Sequence, residues 1–207
     1  MTPLPQAAVA RMPVYLRVLS QLAAAGASRV SSAQLANSSG VSADVLRRDL
    51  SGLGHLGQRG VGYPVEVLRQ AISQALGLNQ DQSVVLVGAG HLGTALAGYT
   101  GFAERGLRIC AVVDADPALA GTACGPLSVQ PLDDLTTVVE DSGARLAILA
   151  VPAAAAQKVA DLLVRAGVQG ILNFAAVEVS VPPGVSVRAV DLSAELQLLA
   201  FRNGTAG

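Results

Sequence analysis

The chain has 207 residues, of which 51% are hydrophobic and 14% are charged, and its formal net charge is −1. This composition is typical of one or two globular domains with a substantial core and argues against a disordered chain. No charge-free apolar run reaches the roughly 18–20 residues that span a bilayer, and the first twelve residues lack the pattern of a signal peptide. We therefore expect a cytoplasmic protein without a membrane segment.

The charged residues are distributed unevenly along the chain. Residues 1–77 carry seven arginines against three acidic residues, a balance of +4, whereas residues 78–207 carry seven basic and twelve acidic residues, a balance of −5. A basic segment beside an acidic remainder is typical of a nucleic-acid-binding domain joined to a different domain. The alternative is ordinary variation in surface charge, which so large a difference disfavours.

The first predicted element is a helix over residues 14–25, where apolar residues recur at helical spacing. Pro13 has no N–H to donate and suits the first turn of this helix, so a separate or kinked segment is expected before it. Ser31 predicts the cap of a short second helix, roughly 32–38, because Gln34 follows three residues later in the spacing of a capping box.

A third helix is predicted over residues 43–52, with Ser42 as its cap. The glycine-rich stretch 54–65 then predicts a small β-hairpin, and one more helix is predicted over residues 66–77. Helix, short helix, helix and hairpin is the order of a winged helix-turn-helix domain, which we assign to residues 1–79.

The predicted third helix is the candidate DNA-recognition element. In helix-turn-helix proteins the second helix of the motif enters the major groove, where arginine binds guanine or phosphate. Arg59 lies at the predicted tip of the wing, where it is expected to reach a minor groove. Asp49 is expected to orient an arginine or a helix end rather than to touch DNA. The alternative is a solvated helix face with ordinary arginines. The predicted DNA-binding residues are Ser32, Gln34, Arg47, Arg48, Ser51 and Arg59.

The second part of the chain alternates between predicted strands and helices. Such alternation predicts an α/β fold with a parallel sheet covered on both faces. We assign a Rossmann-type domain to residues 80–190 and a C-terminal dimerisation helix to residues 191–207. The predicted strands are 83–87, 107–113, 144–151, 168–172 and 185–190, and the predicted helices are 92–99, 154–166 and 194–201.

A glycine-rich turn follows the first of these strands. Gly88, Gly90 and Gly93 have the GxGxxG spacing between a strand and a helix, which is the context of a dinucleotide-binding turn. The helix N-terminus supplies N–H groups for a pyrophosphate. Asp114 ends the next predicted strand, 21 residues after Gly93. A carboxylate at this position accepts hydrogen bonds from the ribose hydroxyls and repels a 2′-phosphate. The turn therefore favours NAD(H) over NADP(H). The alternatives are a turn without a ligand and a site for FAD.

Two later strand ends face the same predicted crevice, because ligands of such sheets bind beyond the carboxyl ends of the strands. Their alternative role is simple strand termination. The residues that these patterns assign to the cofactor are Gly88, Ala89, Gly90, His91, Leu92, Gly93, Asp114, Ala150, Val151, Pro152, Asn173, Phe174 and Ala175.

The sequence shows no set of residues that is typical of a dehydrogenase active site. A dehydrogenase needs a proton donor, usually histidine or lysine, but His55 lies in the predicted wing, His91 lies in the glycine turn, and Lys158 is on the polar side of a helix. No Ser/His/Asp set or metal-ligating cluster is visible. We therefore expect the cofactor to be a signal and the protein not to be an enzyme. A small NAD-dependent oxidoreductase and a DNA-associated structural protein remain the alternatives.

Several segments together resemble the Rex family of redox-sensing transcriptional repressors. They are RRDLS, GQRGVGY, the glycine turn, VDADP and GILNFA, and the resemblance extends from about Ala7 to Phe201. The resemblance implies a homodimer in which the C-terminal helix enters the partner's Rossmann domain. It also implies that the dimer binds an inverted-repeat operator in double-stranded DNA and is released by NADH. NAD⁺ is expected to compete weakly and to leave the protein able to bind DNA.

The same resemblance assigns a redox switch. It implies that Tyr99 lies beside the nicotinamide and that Asp191 and Arg17 relay the redox state between the domains. The sequence departs from the family at Leu192, where an aromatic residue is common, and at Arg48, where lysine is usual. Arginine and lysine differ in hydrogen-bonding geometry, so a shifted base preference is expected.

Overall fold

The computed structural model of the chain describes residues 4–58, 60–78 and 81–204, with side chains up to residue 201. The chain divides into two compact units, Met1–Gln80 and Asp81–Gly207. Within the described ranges, no helix combines the length and the apolar character needed to cross a membrane.

The first unit contains four helices and two short strands within its described residues. Its core is formed by the inward faces of the helices, with Tyr15, Met12, Leu46, Leu68 and Ile72 almost fully buried. The elements are α1 (Gln6–Ala24), β1 (Arg29–Val30), α2 (Ser32–Ser38), α3 (Ala43–Ser51), β2 (Tyr63–Pro64) and α4 (Val65–Ala75).

Helix α1 begins earlier than predicted, and Pro13 lies inside it rather than in its first turn. The missing N–H of proline costs one hydrogen bond within the helix. The residues before Pro13 nevertheless belong to the core, since Ala8 and Met12 are buried on the same face as Tyr15 and Leu19. Tertiary burial of that face outweighs the local cost, because packing supplies most of the stability of a protein helix.

The two predicted serine caps are confirmed. The Ser31 Oγ accepts a hydrogen bond from the Gln34 N–H at 3.1 Å, and the Ser42 Oγ accepts one from the Val45 N–H at 3.3 Å. Each bond satisfies a backbone donor that a helix leaves without an internal partner. Local hydrogen bonding thus sets where α2 and α3 begin.

The wing differs from the predicted hairpin. An isolated antiparallel bridge joins Gln58 to Gly62, and β2 pairs antiparallel with β1, where Val30 faces Tyr63. Gly62 has a φ of +81°, and a Cβ there would lie 2.4 Å from the Val30 carbonyl oxygen, so only glycine fits. The sequence did not predict β1, because a two-residue strand is too short to show a periodicity.

The second unit is a seven-stranded sheet flanked by helices. Its strand order is β5-β6-β4-β3-β7-β8-β9, and all neighbours are parallel except β5 and β6. The elements are β3 (Gln82–Val87), α5 (His91–Ala97), β4 (Leu107–Asp114), β5 (Ala123–Cys124), β6 (Leu127–Pro131), α6 (Leu135–Ser142), β7 (Leu146–Leu149), α7 (Ala153–Arg165), β8 (Gly170–Asn173), β9 (Ser186–Ala189) and α8 (Leu192–Gly204).

The elements β5, β6 and α6 were not predicted from the sequence. Helix α6 has the sequence LTTVVEDS, in which β-branched threonine and valine lower the helix propensity. Leu135, Val138 and Val139 are buried at helical spacing, so contact with the sheet stabilises a segment that local preference does not. The strands β5 and β6 are an edge pair too short for a clear alternation.

The order of the strands indicates where a ligand would bind. From β3 the chain moves first to β4 on one side and later to β7 on the other side. The helices accordingly cover opposite faces: Val85 belongs to a core cluster with Val159 of α7, whereas Leu86 belongs to one with Ala97 of α5. Open parallel sheets bind ligands at such a reversal, beyond the carboxyl ends of the strands. The topology therefore places the expected crevice beyond the ends of β3 and β7.

Candidate dinucleotide crevice and nucleic-acid interface

The glycine turn after β3 is built by contacts that exclude side chains. Gly88 has a φ of +103°, and a Cβ there would lie 2.2 Å from the Ala150 carbonyl oxygen. A Cβ at Gly93 would lie 1.8 Å from the Gly88 carbonyl oxygen, so α5 begins directly against the turn. Nothing lies within 4 Å of a Cβ built at Gly90. The first and third glycines therefore serve packing, and the second leaves room for a group to approach the backbone.

Asp114 is held against this turn at the end of β4. Its Oδ2 accepts a hydrogen bond from the Ala89 N–H at 2.6 Å, and its Oδ1 accepts one from the Asp116 N–H at 2.8 Å. The carboxylate is half-buried beside the turn. Its remaining lone pairs are available to hydroxyl donors, and its negative charge disfavours a phosphate group at the same place. This is the chemistry expected of a ribose-binding carboxylate.

The predicted contacts at the ends of β7 and β8 differ in accessibility. Val151 is half-buried and Pro152 is exposed after β7, while Ala150 donates its N–H to the Val87 carbonyl at 2.8 Å. Phe174, half-buried after β8, donates its N–H to the Leu149 carbonyl at 2.9 Å. Backbone hydrogen bonds therefore hold both strand ends at the margin of the crevice.

Asn173 has a structural task in the same region. Its side chain is fully buried, its Nδ2 donates to the Val177 carbonyl at 2.8 Å, and its Oδ1 accepts from the Ala175 N–H at 2.9 Å. The buried amide thus has partners for both of its ends and shapes the loop after β8. Ala175 is also buried.

Exposed side chains near the turn include those of His91 and Leu92, in the first turn of α5, and of Tyr99, just after it. Tyr99 is 53% exposed, and its ring packs edge-to-face on Phe102, with ring centroids 5.1 Å apart. Gly101 lies beneath the ring, where a Cβ would be 2.3 Å from the tyrosine Cζ. Tyr99 therefore presents a positioned aromatic surface that a flat ligand could stack on.

Asp191 lies at the start of the C-terminal helix. Its Oδ1 accepts hydrogen bonds from the Ser193 N–H at 2.9 Å and the Ala194 N–H at 3.1 Å, which caps α8. Arg17, its predicted switch partner, lies exposed on α1 in the other unit.

Helix α3 of the first unit has one buried face and one basic face. Leu46 and Leu50 are buried, whereas Arg47, Arg48 and Ser51 are exposed. The Ser51 hydroxyl donates to the Arg48 carbonyl at 2.7 Å. Three of the predicted DNA-binding side chains therefore lie on the solvent side of one helix.

Of the other predicted DNA-binding residues, Ser32 and Gln34 lie on α2, close to α3. Arg47 donates to the Ser32 Oγ at 3.1 Å and also pairs with Asp44, so the structure brings α2 and α3 together at their exposed sides. Gln34 is exposed on α2. Arg59 lies outside the described residues. Among the described residues of both units, no group of His, Cys, Asp and Glu side chains could hold a metal ion.

Of the two roles expected for Asp49, orienting an arginine or a helix end, the structure shows the first, with partners that the sequence did not identify. The Asp49 carboxylate accepts hydrogen bonds from the Arg11 Nε and Nη2 and from the Tyr15 hydroxyl, each at 2.7 Å. Asp49 is 5% exposed and Tyr15 is fully buried. We call these three residues the Asp49 cluster. An acid between Leu46 and Leu50, at a position that faces the core, was the signal in the sequence.

The Asp49 cluster perturbs the ionisation of its members. The Arg11 guanidinium holds the pKa of the Asp49 carboxyl below its usual value, because hydrogen bonds and opposite charge favour the ionised form. Burial, reinforced by the Asp49 carboxylate, raises the pKa of the Tyr15 phenol to about 12. The cluster therefore contains an ionised acid and a neutral phenol near neutral pH.

A basic winged helix-turn-helix unit and a Rossmann unit with a glycine turn define a class of protein in which a nucleotide site and a nucleic-acid-binding domain share one chain. A family described as "CoA binding domain" matches residues 79–177, and one described as "Putative DNA-binding protein N-terminus" matches residues 3–51. The predicted fold class, a winged helix-turn-helix followed by a Rossmann-type parallel sheet, agrees with these matches.

Relatives over nearly the whole chain identify the family. The Redox-sensing transcriptional repressor Rex of Streptomyces griseus is 53% identical over 96% of this chain and 78% of the relative. The crystal structure of RSP in complex with β-NAD⁺ and operator DNA is 33% identical, with a TM-score of 0.90 over 100% of this chain and 95% of that one. RSP in complex with β-NADH is 32% identical, with a TM-score of 0.88 over 100% and 97%. The chain belongs to the Rex family of redox-sensing transcriptional repressors.

Proposed function

We propose that this chain binds an inverted-repeat operator as a homodimer, represses transcription there, and is released when NADH binds. The observation that carries this proposal is the union in one chain of the Gly88–Gly93 turn, with Asp114 against it, and a helix-turn-helix whose α3 exposes Arg47 and Arg48. RSP, the similar repressor of known structure, was crystallised with both coenzyme forms and with operator DNA. Because the partner is operator DNA, we assign the protein to the cytoplasm.

The proposed cofactor lies across the crevice at the ends of β3 and β7. We assign the pyrophosphate to the backbone of the glycine turn, where Gly90 leaves space. The adenosine ribose is assigned to Asp114, and the nicotinamide to the neighbourhood of Tyr99, Val151 and Phe174. The exposed ring of Tyr99 supports this orientation, because aromatic side chains stack well on flat rings.

The proposed operator contacts lie on α2 and α3. We assign base contact to Arg48 and Ser51, whereas Arg47, already joined to Ser32, suits a phosphate contact. Two copies of α3 would have to lie about 34–36 Å apart, or a multiple of that distance, to read two half-sites. A small change in the dimer arrangement would therefore abolish binding to an inverted repeat.

The proposed dimer contact is α8, which we expect to enter the partner's Rossmann domain. We accordingly assign residues 1–79 to DNA binding, 80–190 to the cofactor and 191–207 to dimerisation. A helix with this much exposed apolar surface is typical of an interaction element. More than half of the surface of each of its large apolar side chains is exposed in the single chain, namely Leu192, Leu196, Leu198, Leu199 and Phe201.

The proposed redox signal is electrostatic. The oxidised nicotinamide carries a positive charge and the reduced ring is neutral, so a nearby carboxylate distinguishes the two forms. We infer that Asp191 exchanges between Tyr99 and Arg17 according to that charge. Asp191 also caps α8, so its movement would disturb the proposed dimer helix. NADH can release the protein from DNA only if it binds the dimer arrangement that does not fit the operator more tightly than the one that does. The size of the shift is set by this difference in affinity.

One titration tests this function. Inverted-repeat duplexes are selected from random-sequence DNA by binding to the protein, and the bound duplex is then titrated with NADH and NAD⁺ separately. We expect NADH to release the duplex and NAD⁺ to release little. No enrichment of an inverted repeat, or equal release by both forms, would contradict the proposal. Oxidation of NADH by an added carbonyl substrate would instead favour an oxidoreductase.

A further inference from the structure

Two kinds of contact join the buried side of α3 to the rest of the first unit, and the exposed Arg47 adds a bond to Ser32 of α2. Leu46 and Leu50 make apolar contacts with the core. Apolar contacts are not directional. They therefore fix how closely a helix approaches the core better than they fix its rotation about its own axis. The hydrogen bonds of the Asp49 cluster are directional and join α3 to α1.

The geometry of the cluster leaves α3 little rotational freedom. Arg11 binds both carboxylate oxygens of Asp49 at 2.7 Å, and this bidentate pairing fixes the plane of the carboxylate as well as its distance. Tyr15 adds a third bond of 2.7 Å from a ring that is itself fully buried in the core. A fully satisfied polar network in a buried place rigidifies the elements that it joins.

Asp49 lies within the stretch of α3 that carries the exposed Arg48 and Ser51. Rotation of α3 would therefore move these side chains by a similar angle. Contacts to base edges tolerate such movement poorly, whereas contacts to phosphates are sequence-independent and less demanding.

We propose that Arg11, Tyr15 and Asp49 are positioning residues for operator recognition, which set the rotation of α3 and hence the direction of its base-reading side chains. The inference rests on the proposed function, since it assumes that α3 reads an operator. It assigns the cluster to sequence specificity rather than to general affinity for DNA. The cluster itself does not touch the nucleic acid.

The test compares Tyr15→Phe and Arg11→Lys with the matched control Arg69→Lys. Arg69 pairs with Glu66 within α4, so the control alters an arginine–carboxylate pair in the same unit that joins no two helices. Equilibrium binding is measured for the selected inverted-repeat duplex and for a scrambled duplex of the same length. We expect each cluster variant to lose about tenfold in operator affinity, similar to the loss of one base contact. Affinity for the scrambled duplex and for NADH should change less than twofold, and the control should resemble wild type.

Two results would overturn the positioning role. One is unchanged operator affinity in both cluster variants. The other is an equal loss on both duplexes, accompanied by a lower melting temperature, which a merely structural role would produce. A double variant with Arg48→Ala gives a further readout, because a positioning residue should cost little once the base contact is gone. If the wild-type protein itself selects no inverted repeat, the proposed function fails first, and that result differs from a failure of the variants alone.

Discussion

At the scale of single residues, two carboxylates with the same intrinsic chemistry differ in role because they lie at different places in the fold. Asp114 accepts two backbone N–H groups at the rim of the crevice and keeps part of its surface open. Asp49 accepts all its observed bonds from side chains and is 5% exposed. The first keeps open surface that suits the proposed ribose contact, and the second joins two helices.

Asp114→Ala should weaken NADH binding without unfolding the protein. Hydrogen bonds to a charged group contribute about 1.5–3 kcal/mol, so we expect a loss of about 10- to 100-fold. Calorimetric titration with NADH and NADPH measures it, and the preference for NADH should shrink because the repelling charge is gone. Asp116→Ala, which removes the cap bond to the Ala118 N–H, is the matched control. Unchanged NADH affinity in Asp114→Ala would remove the ribose assignment.

Arg48→Ala should abolish most of the operator affinity and leave NADH affinity intact. The side chain is exposed on α3, so its removal should not disturb the core, and a bidentate contact to a base is worth about 1–3 kcal/mol. Fluorescence anisotropy with a labelled operator duplex measures the change. Arg69→Ala on α4 controls for the loss of one positive charge from the same unit. Normal operator affinity in Arg48→Ala would contradict the assignment of α3 as the recognition helix.

At the scale of elements, α1 and α3 are joined by groups whose ionisation is perturbed by the contact. The pKa of the Tyr15 phenol rises to about 12 from a usual value of 10.0, chiefly because the ring is buried. A phenol whose pKa is raised on folding stabilises the folded state in its neutral form. That contribution is complete below pH 10 and is lost as the pH rises towards 12.

The phenolate absorbance of the protein should therefore show a late ionisation with a pKa of about 12, which Tyr15→Phe removes. The chain has three tyrosines and no tryptophan, so the signal is simple to read. Urea unfolding across the same pH range should show a steeper loss of stability in wild type than in Tyr15→Phe. An alkaline titration that is identical in the two proteins would contradict burial of the phenol beside Asp49.

At the scale of the whole molecule, the large apolar side chains of α8 are exposed in a single chain. Leu196 and Leu199 lie three residues apart on this helix and expose 67% and 55% of their surfaces. The proposed swap into a second copy accounts for this exposure, because burying such surface stabilises association.

Leu196→Glu combined with Leu199→Glu should therefore yield a monomer. Burial of a leucine side chain is worth about 1.5–3 kcal/mol, and a buried charge adds a further penalty. Sedimentation measures the mass, and operator binding should fall with it because an inverted repeat needs two recognition helices. Gln197→Glu, an exposed polar position on the same helix, controls for the added charge. A dimer that persists in the double variant would place the interface elsewhere.

The structural features that were predicted correctly are those encoded locally. The caps at Ser31 and Ser42 depend on a side chain and a backbone N–H three residues away. The glycine turn depends on backbone conformation and close approach at Gly88 and Gly93. Such signals need only a few neighbouring residues, so they are visible without an alignment or a fold.

The features that were missed depend on partners far away in the chain. The strand β1 exists because Tyr63 and Pro64 pair with it, and α6 exists because the sheet buries its apolar face. Pro13 inside α1 violates a local rule that core packing overrides. The partners of Asp49 lie 34 and 38 residues away, a separation that no periodicity reports.

From its sequence alone, this protein can be divided into a basic winged-helix part and a dinucleotide-binding part, and its Rex-type motifs can be located, because caps, glycine turns and charge patterns act over a few residues. Tertiary structure alone decided that Asp114 accepts a hydrogen bond from the Ala89 N–H, that both ends of the Asn173 amide bond within its own loop, and that Arg11 and Tyr15 hold α3 through Asp49. Those contacts join residues distant in the chain, and only the packing of whole elements brings their atoms within hydrogen-bonding distance.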